Sequence, residues 1–208
     1  QPDYNRIWGY GDTPEHHMTH YIMQAMRDRN VFAAIDVHNN SGMNPHFVLI
    51  TRHDNDTYRL ATLFGRTVLY TLKPDTTSTY GMSDYCPAVT LECGLPGDQY
   101  GVDHAVEYVD ACLHLSHFPE HPLAEHDMDL YHLVSIVKIP TRFSISFNGD
   151  EADLMFDEEM ISMNFSEVAA GTTFCTMREG SDACLEAWDE HGKDLARHFF
   201  LQQGQNYK

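Results

Sequence analysis

The sequence contains no long apolar run. Among its 208 residues, no stretch approaches the roughly 20 consecutive apolar residues that a membrane-spanning helix needs. The first residues, QPDYNRIWG, also lack the basic segment followed by an apolar one that marks a signal peptide. We therefore expect neither a membrane-spanning protein nor a membrane partner.

Basic residues are scarce. Lysine and arginine together number 13 against 31 aspartates and glutamates, which gives a formal charge of -18. A surface of this sign repels the phosphate backbone of nucleic acids and the headgroups of anionic lipids. We therefore expect no nucleic-acid partner.

The length of the chain suits one large domain, or one domain with a smaller second domain.

Cysteines are few and widely spaced. Their number is odd, and no pair has the Cys-x-x-Cys spacing of a zinc or redox motif. This pattern argues against a disulfide framework and favours a reducing compartment, so we expect the protein to be cytoplasmic. The cysteines are Cys86, Cys93, Cys112, Cys175 and Cys184.

Helices and buried strands alternate in the first half of the chain. Thr13-Pro14-Glu15 is a typical helix start, and Asn30 is a plausible stop. This alternation predicts an α/β fold with a mostly parallel or mixed sheet and helices on both faces. Further helices are predicted from Asp56, with the stripe Leu60, Leu63, Phe64 and Val68, and over 102–116, with an apolar side of Val102, Ala105, Val106, Val109 and Leu113. Strands are predicted over 31–37, buried on both faces, and over 47–50 and 88–91, with a loop over 73–87.

The character of the sequence changes near residue 117. The stretch HFPEHPLAEHD, residues 117–127, is polar, contains proline and histidine, and is a candidate linker. Short β-branched and aromatic runs separated by glycine, asparagine and aspartate follow it. We therefore predict an α/β domain over 1–120 and a small β-rich domain over 128–208.

Polar side chains follow two of the predicted strands. Asp36 and His38 stand in AAIDVHNNSG, at the end of the first strand, and Glu92 ends the strand in PAVTLECG. A strand has a period of two, so Asp36 and His38 share a face, and Asp36 can accept the second N–H of the imidazole. The carboxyl ends of neighbouring parallel strands meet at one edge, so His38 and Glu92 are expected to face each other. Alternatively, His38 is a structural imidazole bonded to the backbone, and Glu92 is a capping or ion-paired acid.

These residues, with Asn5-Arg6 before the first helix, resemble the motifs of a known family. In chain order, Asn5-Arg6, Asp36-Val37-His38 and Glu92 resemble motifs of the zinc carboxypeptidase superfamily, most closely its succinylglutamate desuccinylase/aspartoacylase branch. The resemblance implies a carboxypeptidase-like fold and one zinc ion per chain. It implies that Asn5 and Arg6 bind a substrate carboxylate, that His38 is a zinc ligand and that Glu92 is the general base.

One motif of that family is missing. Its first two zinc ligands come from a His-x-x-Glu motif upstream of the Asn-Arg pair, but only four residues precede Asn5 here. His117-Phe118-Pro119-Glu120 has the right spacing, but it lies in the candidate linker. Two interpretations stay open: either the chain lacks its beginning, or the zinc site is incomplete and the molecule is not a hydrolase.

The predicted function follows from the resemblance. We expect a zinc-dependent hydrolase that cleaves an amide bond near a carboxylate, of the metallocarboxypeptidase or N-acyl amino acid deacylase type, acting on a small molecule or peptide. The first alternative is an inactive relative that binds a carboxylated ligand through Arg6. The second is a histidine-rich, acidic metal buffer. The sequence predicts neither the exact substrate nor the oligomeric state.

Overall fold

A five-stranded sheet organises the first part of the chain. The structure, a computed structural model, describes residues 2–200, 202–203 and 206–207. The strands are β1 (Ala34–His38), β2 (Phe47–Ile50), β3 (Thr67–Tyr70), β4 (Ala88–Glu92) and β5 (Asp129–His132). They are ordered β1-β4-β2-β3-β5, and only the β2–β4 pair is antiparallel. The prediction of a mostly parallel or mixed α/β sheet is confirmed.

Helices cover both faces of this sheet. They are α1 (Pro14–Asp28), α2 (Asn55–Thr62), α3 (Ser78–Met82) and α4 (Gln99–Leu113). Because side chains alternate along a strand, Ala34 packs with α1 and α3, whereas Ile35 packs with the cluster that contains α2 and α4. Tyr108 of α4 is buried in that cluster, and its hydroxyl donates to the Leu60 carbonyl of α2 at 3.1 Å.

The ends of α1 follow the sequence signals. The Thr13 hydroxyl accepts a hydrogen bond from the His16 backbone N–H, and Pro14 is the first helical residue. Just beyond the helix, Asn30 adopts a φ of 48°, a left-handed conformation that asparagine tolerates better than most residues.

The helix predicted from Asp56 is shorter than its apolar pattern suggested. Asp54 caps α2 instead of Asp56, because its Oδ1 accepts from the Thr57 backbone N–H at 2.9 Å. The helix ends at Thr62, so Leu63 is 43% exposed and Val68 lies in β3 instead of on the helical stripe. The short strand β3 was absent from the prediction because its four residues follow an apolar helix without a clear change of period.

Two further predictions need correction in this part of the chain. The first strand is not buried on both faces: β1 lies at the edge of the sheet, and Val37 is 51% exposed. The predicted loop over 73–87 contains α3, which begins where the Thr77 hydroxyl accepts from the Tyr80 backbone N–H. This helix was not predicted because its five residues are too few to show a helical apolar pattern.

The chain divides into two compact units, Gln1–Leu133 and Val134–Lys208. The predicted domains, 1–120 and 128–208, place this boundary too early. Backbone pairing of β5 with β3 keeps 129–132 in the first unit, and Asn55 of α2 holds the candidate linker by donating to the Pro119 carbonyl at 2.8 Å.

The second unit is rich in β-structure, as predicted for this region. The elements are β6 (Ile136–Lys138), β7 (Ile145–Ser146), β8 (Leu154–Phe156), β9 (Cys175–Met177), β10 (Glu186–Trp188), α5 (Ala196–Phe199), β11 (Gln202–Gln203) and β12 (Asn206–Tyr207). The five-stranded sheet of this unit has the order β11-β12-β9-β8-β7, and β10 pairs with β6.

None of the helices in the described ranges combines the length and apolarity needed to cross a bilayer.

Candidate active site

Strands β1 and β4 place His38 beside Glu92. The two strands are parallel neighbours, and their register pairs His38 with Glu92 at their carboxyl ends. The imidazole Nδ1 lies 3.9 Å from Glu92 Oε1. Pairing continues past the strands, because the Cys93 N–H donates to the His38 carbonyl and the Asn40 N–H to the Gly94 carbonyl. The expected proximity of the two side chains is therefore observed.

Asp36 lies on the same face of β1 as His38. Its Oδ2 is 3.1 Å from His38 Nε2, as the period of two predicts. The same oxygen accepts a hydrogen bond from the Ser78 hydroxyl at the start of α3. The carboxylate therefore ties the imidazole of β1 to α3, a short helix on the face shared with α1.

A short helical turn, Tyr4–Arg6, brings Asn5 to the same site. Asn5 Nδ2 lies 3.1 Å from His38 Nε2, and Asn5 Oδ1 accepts from the Ser78 backbone N–H at 3.1 Å. Arg6 is exposed, and its Nη1 donates to the Asn5 carbonyl at 2.8 Å. Arg6 is close enough for its positive charge to disfavour the protonated form of His38.

Two neighbours compete for His38 Nε2. The Asn5 amide N–H can donate to this nitrogen only when the nitrogen carries a lone pair, whereas Asp36 can accept from it only when it carries a proton. With the proton on Nε2 and directed at Asp36, a neutral imidazole keeps its lone pair on Nδ1, the nitrogen that faces Glu92. A ligand bound by His38 would then lie on the Glu92 side.

The three ionisable groups have shifted pKa values. The hydrogen bond to Asp36 raises the pKa of His38 above its usual value, although burial opposes this shift. Burial favours a higher pKa for Asp36, but the hydrogen bonds with His38 and Ser78 outweigh it and lower the pKa. Burial raises the pKa of Glu92, and the neighbouring His38 offsets only part of that effect. Such shifts are common in catalytic carboxylates and imidazoles.

Three buried polar atoms at the site have no hydrogen-bond partner among the described residues. They are Glu92 Oε2 and the Oδ1 and Nδ2 atoms of Asn40. The Asn40 amide lies near enough to Glu92 to favour its ionised form, without completing a bond of normal geometry. Unsatisfied buried polar atoms cost free energy, so they point to a bound ligand or water at this position.

The structure brings all five candidate residues into one site and adds two. Asn5, Arg6, Asp36, His38 and Glu92 are linked by the contacts described above. Ser78 was not predicted as a site residue because it stood in the predicted loop, although Thr77 before it caps α3. Asn40 was not predicted as a site residue either, and β1–β4 pairing places it beside Gly94.

The donor set fits a zinc site in part. Zinc sites in hydrolases use three protein ligands and leave a fourth position for water. His38 offers an imidazole nitrogen 3.9 Å from Glu92 Oε1. However, no group of three or more histidine, cysteine, aspartate or glutamate side chains in the described ranges is arranged to hold a metal ion. The spaced pair His117 and Glu120 is exposed on the protein surface. The described residues therefore supply one candidate ligand of the three.

Comparison with known proteins identifies the fold. No protein-family model matches the sequence, and neither does any curated protein. A succinylglutamate desuccinylase structure from Vibrio parahaemolyticus has 17% identity and a TM-score of 0.54, with 99% of this chain and 63% of that chain covered. A succinylglutamate desuccinylase/aspartoacylase structure from Rhodobacter sphaeroides has 13% identity and a TM-score of 0.52, with 99% and 66% covered. A succinylglutamate desuccinylase structure from a Silicibacter species has 11% identity and a TM-score of 0.50, with 91% and 63% covered.

This chain thus spans just under two thirds of the length of these solved structures. At such low identity the similarity concerns the fold, and it agrees with the mixed sheet. The chain therefore has the same fold as these succinylglutamate desuccinylase and succinylglutamate desuccinylase/aspartoacylase structures.

Proposed function

We propose that this chain forms the α/β part of a zinc-dependent hydrolase that cleaves an amide bond near a carboxylate. The substrate would be an N-acyl amino acid or a peptide with a free carboxylate. The observation that carries the proposal is the convergence of His38, Asp36 and Glu92 at adjacent strand ends, with a buried carboxylate oxygen left unpartnered. The fold shared with desuccinylase and aspartoacylase structures supports the same chemistry.

His38 is the residue of this chain that would hold the metal. Asp36, by accepting the proton of Nε2, would orient the imidazole and keep the Nδ1 lone pair available. Bound zinc supplies a water molecule whose pKa falls to roughly 7. The two remaining ligands would come from outside the described residues, and the family resemblance assigns them to a His-x-x-Glu motif upstream of Asn5.

Glu92 would act as the general base. Its burial raises its pKa, so it can accept a proton from a water molecule near neutral pH and release it to the leaving amine. Proton transfer by a positioned side chain typically contributes about 10²–10⁴-fold to the rate.

Arg6 and Asn5 would bind the substrate. The exposed Arg6 guanidinium offers a planar fork of donors that matches a carboxylate, and its contact with the Asn5 carbonyl orients it beside His38. The Asn5 amide, held by the Ser78 backbone N–H, would add a neutral donor at the same point.

Metal analysis of protein expressed from the complete gene tests this proposal. We expect about one tightly bound zinc per chain, and we expect His38→Ala to release it. The matched control is His17→Ala, because His17 is an exposed histidine on α1 whose Nε2 contacts Asp12. Unchanged zinc content in the His38 variant would overturn the assignment of His38.

A second function is favoured by the absence of three grouped metal donors in the described ranges. In that case the protein binds a carboxylated ligand through Arg6 and does not hydrolyse it. Protein from the complete gene would then bind N-acyl amino acids in calorimetry without zinc, and Arg6→Ala would abolish binding. Zinc-dependent turnover of any member of an N-acyl amino acid panel would rule out this second function.

A further inference from the structure

A pocket in the first unit opens between α1 and α3. Its volume is about 400 Å³, which lies within the range of small-molecule sites. One wall is α1, which contributes His20, Met23 and Gln24. The other wall is α3 and the residues that follow it. None of the five candidate active-site residues lines this pocket.

The chain segment that precedes α1 closes the pocket between the two helices. The Trp8 backbone N–H donates to the Thr76 carbonyl at 3.0 Å, just before α3 begins. On the α1 side, His20 Nε2 lies 3.0 Å from the Gly9 carbonyl, which accepts from this nitrogen when it carries a proton. Gly81 allows α3 to approach closely, because a Cβ there would lie 3.1 Å from the Trp8 carbonyl oxygen. The pocket is therefore fixed by contacts to both helices.

Four aromatic side chains line the pocket, namely Trp8, Tyr10, Tyr80 and Tyr85. Tyr80 is 37% exposed and Tyr85 is 41% exposed, so part of each side chain is accessible to a ligand. The Tyr85 ring already attracts a cation, since the guanidinium carbon of Arg27 lies 5.4 Å from its centroid. Aromatic ring faces of this kind attract ammonium and guanidinium groups.

Two carboxylates line the pocket, whereas no lysine or arginine does. The first, Asp75, is paired with Lys73, whose Nζ lies 2.5 Å from Asp75 Oδ2. The second, Asp84, is exposed and forms no ion pair with any residue that the structure describes. Asp84 is therefore a negative charge at the pocket that has no positive neighbour bound to it.

This lining favours a ligand that has a positive charge and an apolar part. The Met23 thioether and the aromatic rings offer contact to an alkyl chain, and Asp84 offers a counter-ion to a cation. The formal charge of -18 also attracts cations to the protein. A metal ion matches less well, because no three donor side chains are grouped to hold one in the described ranges. An anionic ligand would be repelled by Asp84.

We propose that this pocket binds a small organic cation of the alkylammonium class. The ammonium group pairs with Asp84 and contacts the rings of Tyr80 and Tyr85, and the alkyl chain packs against Met23. This binding site is separate from the proposed hydrolase reaction, because it uses none of the residues assigned to that reaction.

NMR titration of the 208-residue chain with n-butylammonium chloride tests the proposal. We expect saturable shifts of the Trp8 indole N–H and of the Gly81 backbone amide, since both residues line the pocket. The indole N–H of Trp188, in the second unit, is the internal reference and should not shift. The neutral ligand n-butanol has the same alkyl chain and should bind about tenfold more weakly or less. Sodium chloride at the same ionic strength should cause no saturable shift.

Variants separate the contributions of charge and aromatic rings. Asp84→Asn should weaken n-butylammonium binding about tenfold, because the counter-ion is lost, whereas Asp110→Asn on the exposed side of α4 should not. Tyr80→Leu should weaken binding about threefold through the loss of a cation–π contact. Its matched control is Tyr21→Leu, since Tyr21 is 76% exposed on α1 and lies outside the lining. If Tyr80→Leu fails to fold, Tyr85→Leu provides the aromatic test.

Several outcomes would overturn the proposal. One is the absence of a saturable shift, and another is equal binding of n-butanol, because charge would then play no part. Unchanged binding in either the Asp84 variant or the aromatic variant would do the same. So would shifts of the Gly94 amide without shifts of Gly81, because the cation would then lie beside Glu92. The titration uses neither zinc nor an acylated ligand, so its outcome is separate from that of the proposed hydrolase function.

Discussion

His38 Nδ1 faces Glu92 Oε1 at 3.9 Å across two adjacent parallel strands. The pair combines an imidazole whose pKa is raised by its hydrogen bond to Asp36 with a carboxyl group whose pKa is raised by burial. Glu92 Oε2 has no partner in the described part of the chain. The ends of β1 and β4 therefore bring an imidazole and a buried carboxyl group together.

Asp36→Asn should lower the pKa of His38. The hydrogen bond to the carboxylate is the largest cause of the raised pKa, and asparagine removes its charge. Because its pKa is raised in the folded state, protonated His38 stabilises the fold of the parent chain. This stabilisation is fully present below the unfolded pKa of about 6.5 and is lost as the pH rises through the higher folded pKa. NMR titration of His38 and urea unfolding across this pH window measure both effects.

Asp12→Asn serves as the control for that experiment, because Asp12 contacts His17 on the exposed side of α1. It should leave the His38 titration unchanged. If the pKa of His38 stays the same in the Asp36 variant, the carboxylate does not hold the imidazole in solution.

Glu92→Gln should keep the fold and lose most turnover. Because burial disfavours the ionised carboxyl group, its replacement by a neutral amide should leave the free energy of unfolding at pH 8 unchanged or higher. On a hydrolysed N-acyl substrate, loss of the base should lower the turnover rate by about 10²–10⁴-fold. Glu107→Gln, on the exposed side of α4, should change neither quantity. Normal turnover in the Glu92 variant would exclude Glu92 as the base.

Arg6→Ala should weaken the binding of carboxylated substrates. A hydrogen bond to a charged group contributes about 1.5–3 kcal/mol, which corresponds to roughly a tenfold to hundredfold rise in KM. Arg29→Ala is the matched control, since this exposed arginine caps α1 by donating to the Ala25 carbonyl. Equal KM values for the two variants would remove Arg6 from the binding site. Steady-state kinetics on acylated amino acids, with and without a free carboxylate, provide the measurement.

Leu60→Ala should destabilise the first unit strongly, whereas Leu63→Ala should not. Leu60 is fully buried on α2, and truncation of a buried leucine typically costs about 2–5 kcal/mol. Leu63 lies beyond the last residue of that helix, and its exposure predicts a change within about 0.5 kcal/mol. Urea unfolding followed by circular dichroism distinguishes the two. A large loss in the Leu63 variant would support the longer apolar stripe that the sequence suggested.

Much of the candidate site could be predicted from local pattern. The period of two placed Asp36 and His38 on one face, and the parallel arrangement brought His38 to Glu92. Ser78 and Asn40 could not be found in this way. Ser78 reaches Asp36 from 42 residues away, and Asn40 meets Glu92 only because pairing between the two chain segments continues past the strands.

The sequence by itself determined the local elements. Capping at Thr13, the strand over 47–50 and the polar residues that end β1 and β4 depend on side chains and backbone only a few positions apart. Only the tertiary structure decided which apolar surfaces are covered. The apolar side of α4 has the pattern of a buried helix face, yet Val106 lies exposed beside the open edge of β1. Burial depends on neighbours that are remote along the chain. A local apolar pattern therefore predicts an apolar surface, but it does not show which residues cover that surface.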